Sequence, residues 1–106
     1  MPKKPVIWLG SSLSEVRSFP DIARQRLGHA LDLVQDGDDP PDWKPMPSVG
    51  AGVREIRVRT GQQFRLLYVA HFVEGIYVLH AFEKKSQKTP VPIIALARKR
   101  LAEIGR

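Results

Sequence analysis

Arg57, Arg59, Arg65 and Lys85 are the residues of this 106-residue chain whose types and spacing could do chemistry. Val53 to Thr60 alternates as a strand, with Ile56 and Val58 on one side and Glu55, Arg57 and Arg59 on the other. After a turn at Gly61, Gln63 to Phe72 is apolar on both faces except for Arg65 and His71, as a central strand would be. Ile56 and Val58 should share a face with Phe64, Leu66 and Tyr68. Paired residue numbers across this hairpin must then add to an even number, because a one-residue slip would put apolar residues opposite the charged face. Arg57 or Arg59 therefore sits directly across from Arg65. The same rule applied to the second hairpin, turning near Glu74, puts Ile76, Val78, His80 and Phe82 on the core face and Glu83 and Lys85 beside the arginines. Like charges facing each other destabilise a sheet. Two readings account for the cluster: Glu55 and Glu83 neutralise it in part, or the missing counter-charge is a phosphate, which a guanidinium fork binds bidentately.

Other chemistries find little support. The chain has no cysteine, which removes disulfides, cysteine-based zinc sites and thiol nucleophiles and fits a reducing cytoplasm. His29, His71 and His80 lack metal-ligand spacing; His29 falls on a helix, and His80 is expected to face Tyr68 in the core. Gly50-Ala51-Gly52 lacks the strand-then-helix context of a phosphate loop, and no serine nucleophile motif occurs. No metal or cofactor is expected. The apolar run Val6 to Leu9 is too short for a secretory signal, and no stretch is long and apolar enough for a membrane span. The net charge is +6, unevenly spread: residues 1–53 hold six Lys/Arg and seven Asp/Glu, residues 54–106 eleven and four. Such a split marks either a basic face for a polyanion or a solvated surface that aids solubility.

The elements that must position these residues follow from the pattern. Lys4 to Leu9 reads as a short strand. Ser12-Leu13-Ser14-Glu15 matches a capping box opening a short helix that Pro20 ends. A second helix runs from about Asp21 to Gln35 with Ile22, Leu27, Ala30, Leu31 and Val34 on one stripe, and Gly37 stops it. Residues 37–52 form a long Pro/Gly-rich loop, in which Trp43 anchors the segment to the core or stacks on a base. Three strands of a meander follow. Pro90 and Pro92 open a C-terminal helix with the apolar stripe Ile93, Ala97, Leu101 and Ile104 and an outer face of Arg98, Lys99, Arg100 and Arg106. The expectation is one α+β domain over residues 1–106: a sheet with helices packed on it.

Three segments carry a resemblance: Glu55-Ile56-Arg57, Gln63-Phe64-Arg65-Leu66-Leu67-Tyr68, and Val78 through Phe82-Glu83-Lys84-Lys85-Ser86-Gln87-Lys88-Thr89-Pro90. Together they resemble the phage-derived branch of the RelE/HigB toxins of type II toxin–antitoxin systems, and Phe82 to Pro90 is the most specific part. The resemblance implies a curved antiparallel sheet, an N-terminal helical hairpin, a C-terminal helix and a basic concave face. It implies an mRNA interferase: a cytoplasmic endoribonuclease that cleaves mRNA on the ribosome without metal, the 2′-hydroxyl attacking the adjacent phosphate. It also implies a cognate antitoxin, a helix-turn-helix HigA-like protein, and charge suggests an acidic segment in that partner. By the same resemblance Arg65 contacts the scissile phosphate, and Lys85 with Lys84 binds phosphate or assists proton transfer. Arg57 holds the RNA backbone. Apart from the resemblance, Arg59 and Lys88 are taken as further RNA-binding residues, and the outer-face position of Arg98, Lys99 and Arg100 is read as a place for binding ribosomal RNA. On this reading Arg65→Ala removes activity and leaves the fold intact. The chain departs from the RelE pattern at Val91-Pro92-Ile93-Ile94, where no tyrosine stands, so the general acid or base stays open among His80, Tyr68, Glu83 and Lys85. Two alternatives belong to other classes: a ParE-like inhibitor of DNA gyrase, and a non-catalytic nucleic-acid-binding remnant.

Overall fold

A computed structural model describes residues 3–104; Arg106, expected on the outer face of the last helix, lies outside them. The chain runs β1 (Val6–Trp8), α1 (Ser12–Arg17), α2 (Asp21–Gln35), β2 (Trp43–Pro45), β3 (Val53–Arg59), β4 (Gln63–Val69), β5 (Ile76–Glu83) and α3 (Val91–Glu103). The strands form one sheet in the order β1-β5-β4-β3-β2. It is mixed, not wholly antiparallel: β1 pairs parallel with β5, Val6 against Ile76 and Trp8 against Val78. The Pro/Gly-rich segment also holds more order than its composition suggests. Trp43–Pro45 pairs antiparallel with Arg54–Ile56 as an edge strand, where a proline is tolerated. The Arg54 guanidinium lies 4.1 Å from the centre of the Trp43 ring, a cation–π contact that fastens this edge.

Two apolar layers sandwich the sheet. On one face α1 and α2 bring Val16, Phe19, Ala23, Leu27, Ala30, Leu31 and Val34 onto Ile56, Val58, Phe64, Leu66, Tyr68, Ile76 and Val78. On the other face α3 lays Ala97, with Ile93, Ile94, Leu101 and Ile104, over Met46, Val49, Val53, Leu67, Leu79 and Phe82. Two details of the helical hairpin differ from expectation. Ser12 is the first residue of α1 and is buried; Ser11 precedes it, its carbonyl accepts the Glu15 N–H, and no side chain caps the helix. On α2 the buried stripe contains Ala23 in place of Ile22, which is 46% exposed. The small residue faces the sheet because the start of α2 lies close to it, and the isoleucine turns outward. Ile22→Gln is therefore expected to change stability by less than about 0.5 kcal/mol. Ala23→Leu should cost about 1–3 kcal/mol through overpacking. Urea unfolding of the two variants checks the assignment, and equal effects would contradict it.

Register decides which side chains share a face. β3 and β4 pair as the even-sum rule requires, Arg57 directly opposite Arg65 and Ile56 opposite Leu66. β4 and β5 begin in the same way, with Tyr68 opposite Val78. A bulge at Leu67/Tyr68 then shifts the ladder by one, so that Leu67 faces His80, Arg65 faces Phe82 and Phe64 faces Glu83. The extra β5 residue reverses the facing of everything after it. Phe82 therefore belongs to the α3 layer, not to the hairpin core. Glu83 falls on the hairpin face opposite Phe64, not on the arginine face, and its carboxylate accepts from the Gln62 amide at 3.4 Å. The Lys84 N–H donates to the Gln63 carbonyl at 2.7 Å, which continues the shifted ladder and brings Lys84 to the arginine side.

Candidate nucleic-acid interface

The face that carries α3 turns cationic beyond the end of that apolar layer. From Leu67 along β4 the next residues on this side are Arg65 and Gln63, and from Val53 along β3 they are Glu55, Arg57 and Arg59. Arg57, Arg59, Gln63 and Arg65, with Lys84, Lys85, Ser86 and Gln87 from the segment after β5, line an open cleft of about 490 Å³; Glu55 lies beneath it. Five of the eight lining residues are cations and none is a carboxylate. The concavity is thus polar and positive.

Arg65 forms its floor. It is only 2% exposed and is held on three sides. One terminal nitrogen donates to the Phe64 carbonyl at 3.0 Å, and the other donates to the Gln63 amide oxygen at 2.6 Å. Nε faces a carboxylate oxygen of Glu55 at 3.4 Å. Glu55 is wholly buried, and Lys44 from β2 approaches the same oxygen at 3.9 Å. Neither Glu55 oxygen makes a hydrogen bond among the described residues, so the pair is held by charge alone. Burial lowers the pKa of Arg65 from the ordinary arginine value, Glu55 opposes that, and Arg57 and Arg59 add to it. The guanidinium nevertheless stays charged.

Above the floor, Arg57 and Arg59 form one wall. Asp42, just before β2, spans them: one oxygen lies 3.2 Å from the Arg57 Nε and the other 3.8 Å from the Arg59 Nε. Its carbonyl also accepts the Arg57 N–H at 2.8 Å. Opposite stand the lysines. Lys84 is half-buried, and its pKa falls below the usual lysine value, first through burial and then through Arg65; Lys44 and Arg57 act in the same direction and Glu55 opposes.

Of the expected site residues, the structure brings Arg57, Arg59, Arg65, Lys84 and Lys85 together. Three acid–base candidates stand elsewhere. Tyr68 is buried on the opposite face in the hairpin core, where burial pushes its hydroxyl pKa up. Glu83 has turned to that face as well. His80 does not face Tyr68: the bulge places it toward α3, where its ring stacks on Phe82 and its Nδ1 lies 3.3 Å from an Arg100 nitrogen. Burial, then Arg100, lowers its pKa. Arg100 is not on an outer face. It donates to the Leu79 carbonyl at 2.7 Å and to the Ser11 hydroxyl at 3.2 Å, closing over Gly10, whose positive φ of 51° and missing side chain leave room for it. Arg98 is exposed but donates to the Ser48 carbonyl at 2.6 Å, Lys99 is exposed, and Lys88 is exposed outside the cleft. Sequence reasoning missed Asp42 and Gln63. Gln63 was within reach, because strand alternation puts it on the side of Arg65. Asp42 carried no signal, since its approach depends on the pairing of β2.

A helical hairpin on one face of a five-stranded sheet, a C-terminal helix on the other and a basic cleft beside it define an α+β protein of RelE-like fold. The chain belongs to the phage-derived Gp49-like family (DUF891), whose model matches residues 14–102, and this is a toxin-like family of toxin–antitoxin systems. No curated protein matches the chain. Among the described residues no helix is long and apolar enough to cross a membrane.

Proposed function

We propose that this chain is a RelE/HigB-type toxin, an endoribonuclease that cleaves mRNA on the ribosome and is neutralised by a cognate antitoxin. The observation that carries this reading is the cleft itself: five cations converge with no carboxylate in the lining. Such a lining suits a substrate that brings its own negative charge and its own nucleophile. The 2′-hydroxyl oxygen attacks the adjacent phosphorus and loses its proton to solvent. The bond from phosphorus to the 5′-oxygen breaks, leaving a 2′,3′-cyclic phosphate and a 5′-hydroxyl. Arg57, Arg59 and Lys85 bind the phosphate oxygens. Arg65 supplies a fixed positive potential beneath the phosphorus, where charge develops in the transition state. Lys84 gives a proton to the departing 5′-oxygen, a role that a lysine of lowered pKa fills better than an ordinary one.

The test is growth arrest on expression, with RNA ends mapped in arrested cells and in a purified ribosome assay. Cleaved messages bearing 5′-hydroxyl ends support the proposal; intact RNA together with gyrase inhibition overturns it. Phosphate contacts also set the salt dependence of binding. Replacing Arg57 and Arg59 together by alanine is expected to reduce the slope of log affinity against log salt for a single-stranded RNA by about 0.7 per arginine. Lys99→Ala should leave the slope unchanged. Equal slopes in all three proteins would return the arginine wall to a solvated surface.

A further inference from the structure

The buried carboxylate under the cleft calls for its own account. Glu55 lies on the sheet face that carries Arg57, Arg59 and Arg65, yet it is fully buried and does not line the cleft. It touches two cations, Arg65 Nε at 3.4 Å and Lys44 Nζ at 3.9 Å, and hydrogen-bonds to neither. A buried ion pair is a poor source of stability, since apolar residues of like volume often serve a fold as well or better. Its directly paired neighbour on β4 is Leu67, part of the α3 apolar layer, so a leucine at 55 would extend that layer without a break. Glu55 is also the only acidic side chain on the described part of this face of β3 and β4.

We propose that Glu55 is a positioning residue: from below, it holds the Arg65 guanidinium in the floor of the cleft and sets the electrostatic potential at Lys84. It never meets the substrate. It fixes the Nε edge of Arg65, while Gln63 and the Phe64 carbonyl fix the terminal nitrogens, so the planar group has one orientation toward the cleft. The charged groups that act on Lys84 are Arg65 from β4, Glu55 and Arg57 from β3, and Lys44 from β2. Of these, Glu55 alone favours its protonated form. This inference rests on the ribonuclease reading for its catalytic arm; its electrostatic arm rests on Lys84 and Arg65 lining one cleft with Glu55 buried against Arg65.

The experiment compares the full chain with Glu55→Gln and Glu55→Asp. It reads thermal melting, kcat and KM for cleavage of a defined RNA, and the pH titration of the Lys84 Nζ by NMR. Glu55→Gln keeps the shape and removes the charge. It is expected to lower kcat about 10- to 100-fold with little change in KM, and to move the Lys84 titration to lower pH. Glu55→Asp keeps the charge and withdraws it from Arg65, so kcat falls while Lys84 titrates near its wild-type pH. A folded Glu55→Gln with wild-type kcat and an unmoved Lys84 titration overturns the inference. If Glu55→Gln does not fold, Glu55→Asp decides, and wild-type kcat there overturns it. A wild-type chain that cleaves no RNA sinks the ribonuclease reading instead, and the Lys84 titration then decides the place of Glu55 by itself.

Discussion

Replacing Arg65 by alanine is expected to damage the fold as well as the cleft. The guanidinium is 2% exposed and stands 3.4 Å from a carboxylate with no exposure at all. Removing it strands the Glu55 charge in a buried site with only the more distant Lys44 nearby, and breaking one side of a buried pair costs about 3–5 kcal/mol. A domain of ordinary stability holds about 5–15 kcal/mol in total, so this one substitution would consume a large part of the margin. On the proposed function growth arrest would vanish, but through loss of the fold. The buried pair therefore argues against the expectation that Arg65→Ala leaves the fold intact. The informative variant is the double replacement Glu55→Leu with Arg65→Met, which removes both charges at similar volume. It should recover most of the stability lost in Arg65→Ala and still cleave no RNA. Urea unfolding beside RNA cleavage measures both. An Arg65→Ala chain within about 1 kcal/mol of wild type would show that the pair is not the buried unit described.

The second large effect is expected at Lys84. If this lysine protonates the leaving oxygen, Lys84→Met should lower the cleavage rate by about 10²–10⁴-fold. Lys84→Arg is the sharper test, because an arginine keeps the positive charge but releases no proton in the accessible range. RNA affinity and its salt dependence should survive in that variant while the rate falls. The sign of the pH dependence follows from the role. A general acid must be protonated, so the wild-type rate should drop as pH rises through the Lys84 pKa, which lies below the usual lysine value of 10.5. That alkaline limb should disappear from what remains of activity in Lys84→Arg. A Lys84→Arg chain that cleaves at full rate with the wild-type limb would assign the proton to another group.

Much of this architecture was legible because it follows from short-range rules. Asp21–Gln35 was readable from helical spacing and its flanking Pro20 and Gly37, and the hairpin register from the alternation around Ile56 and Val58. That register alone put Arg57 opposite Arg65. What escaped depended on contacts distant in sequence. The bulge adds one residue to β5 and has no local signature in Ile76–Glu83, an apolar run on both faces. Carrying the even-sum rule through it exchanged Glu83 for Lys84 and sent His80 toward Tyr68, when its partners are Phe82 and Arg100. Arg100 itself looked solvent-facing on a helical wheel. Only the approach of Ser11 and the Leu79 carbonyl shows it to be a fastening of α3. Glu55 was visible as a partial counter-charge, but its complete burial was not, because burial there depends on how the neighbouring side chains close over it.

Asp42 gives the arginine wall a character that its charge alone does not convey. Arg57 and Arg59 already share a carboxylate tethered to the same molecule. A polyanion that meets this wall would compete with that internal ion, most directly at Arg57, where Asp42 stands at 3.2 Å, and less at the exposed Arg59, where it stands at 3.8 Å. A strand that offers one isolated phosphate gains little by the trade. A backbone that reaches Lys84 and Lys85 in the same encounter offsets the loss of Asp42 with further contacts. Selectivity of this kind would operate before any chemistry, favouring a run of phosphates that spans the cleft over isolated small anions.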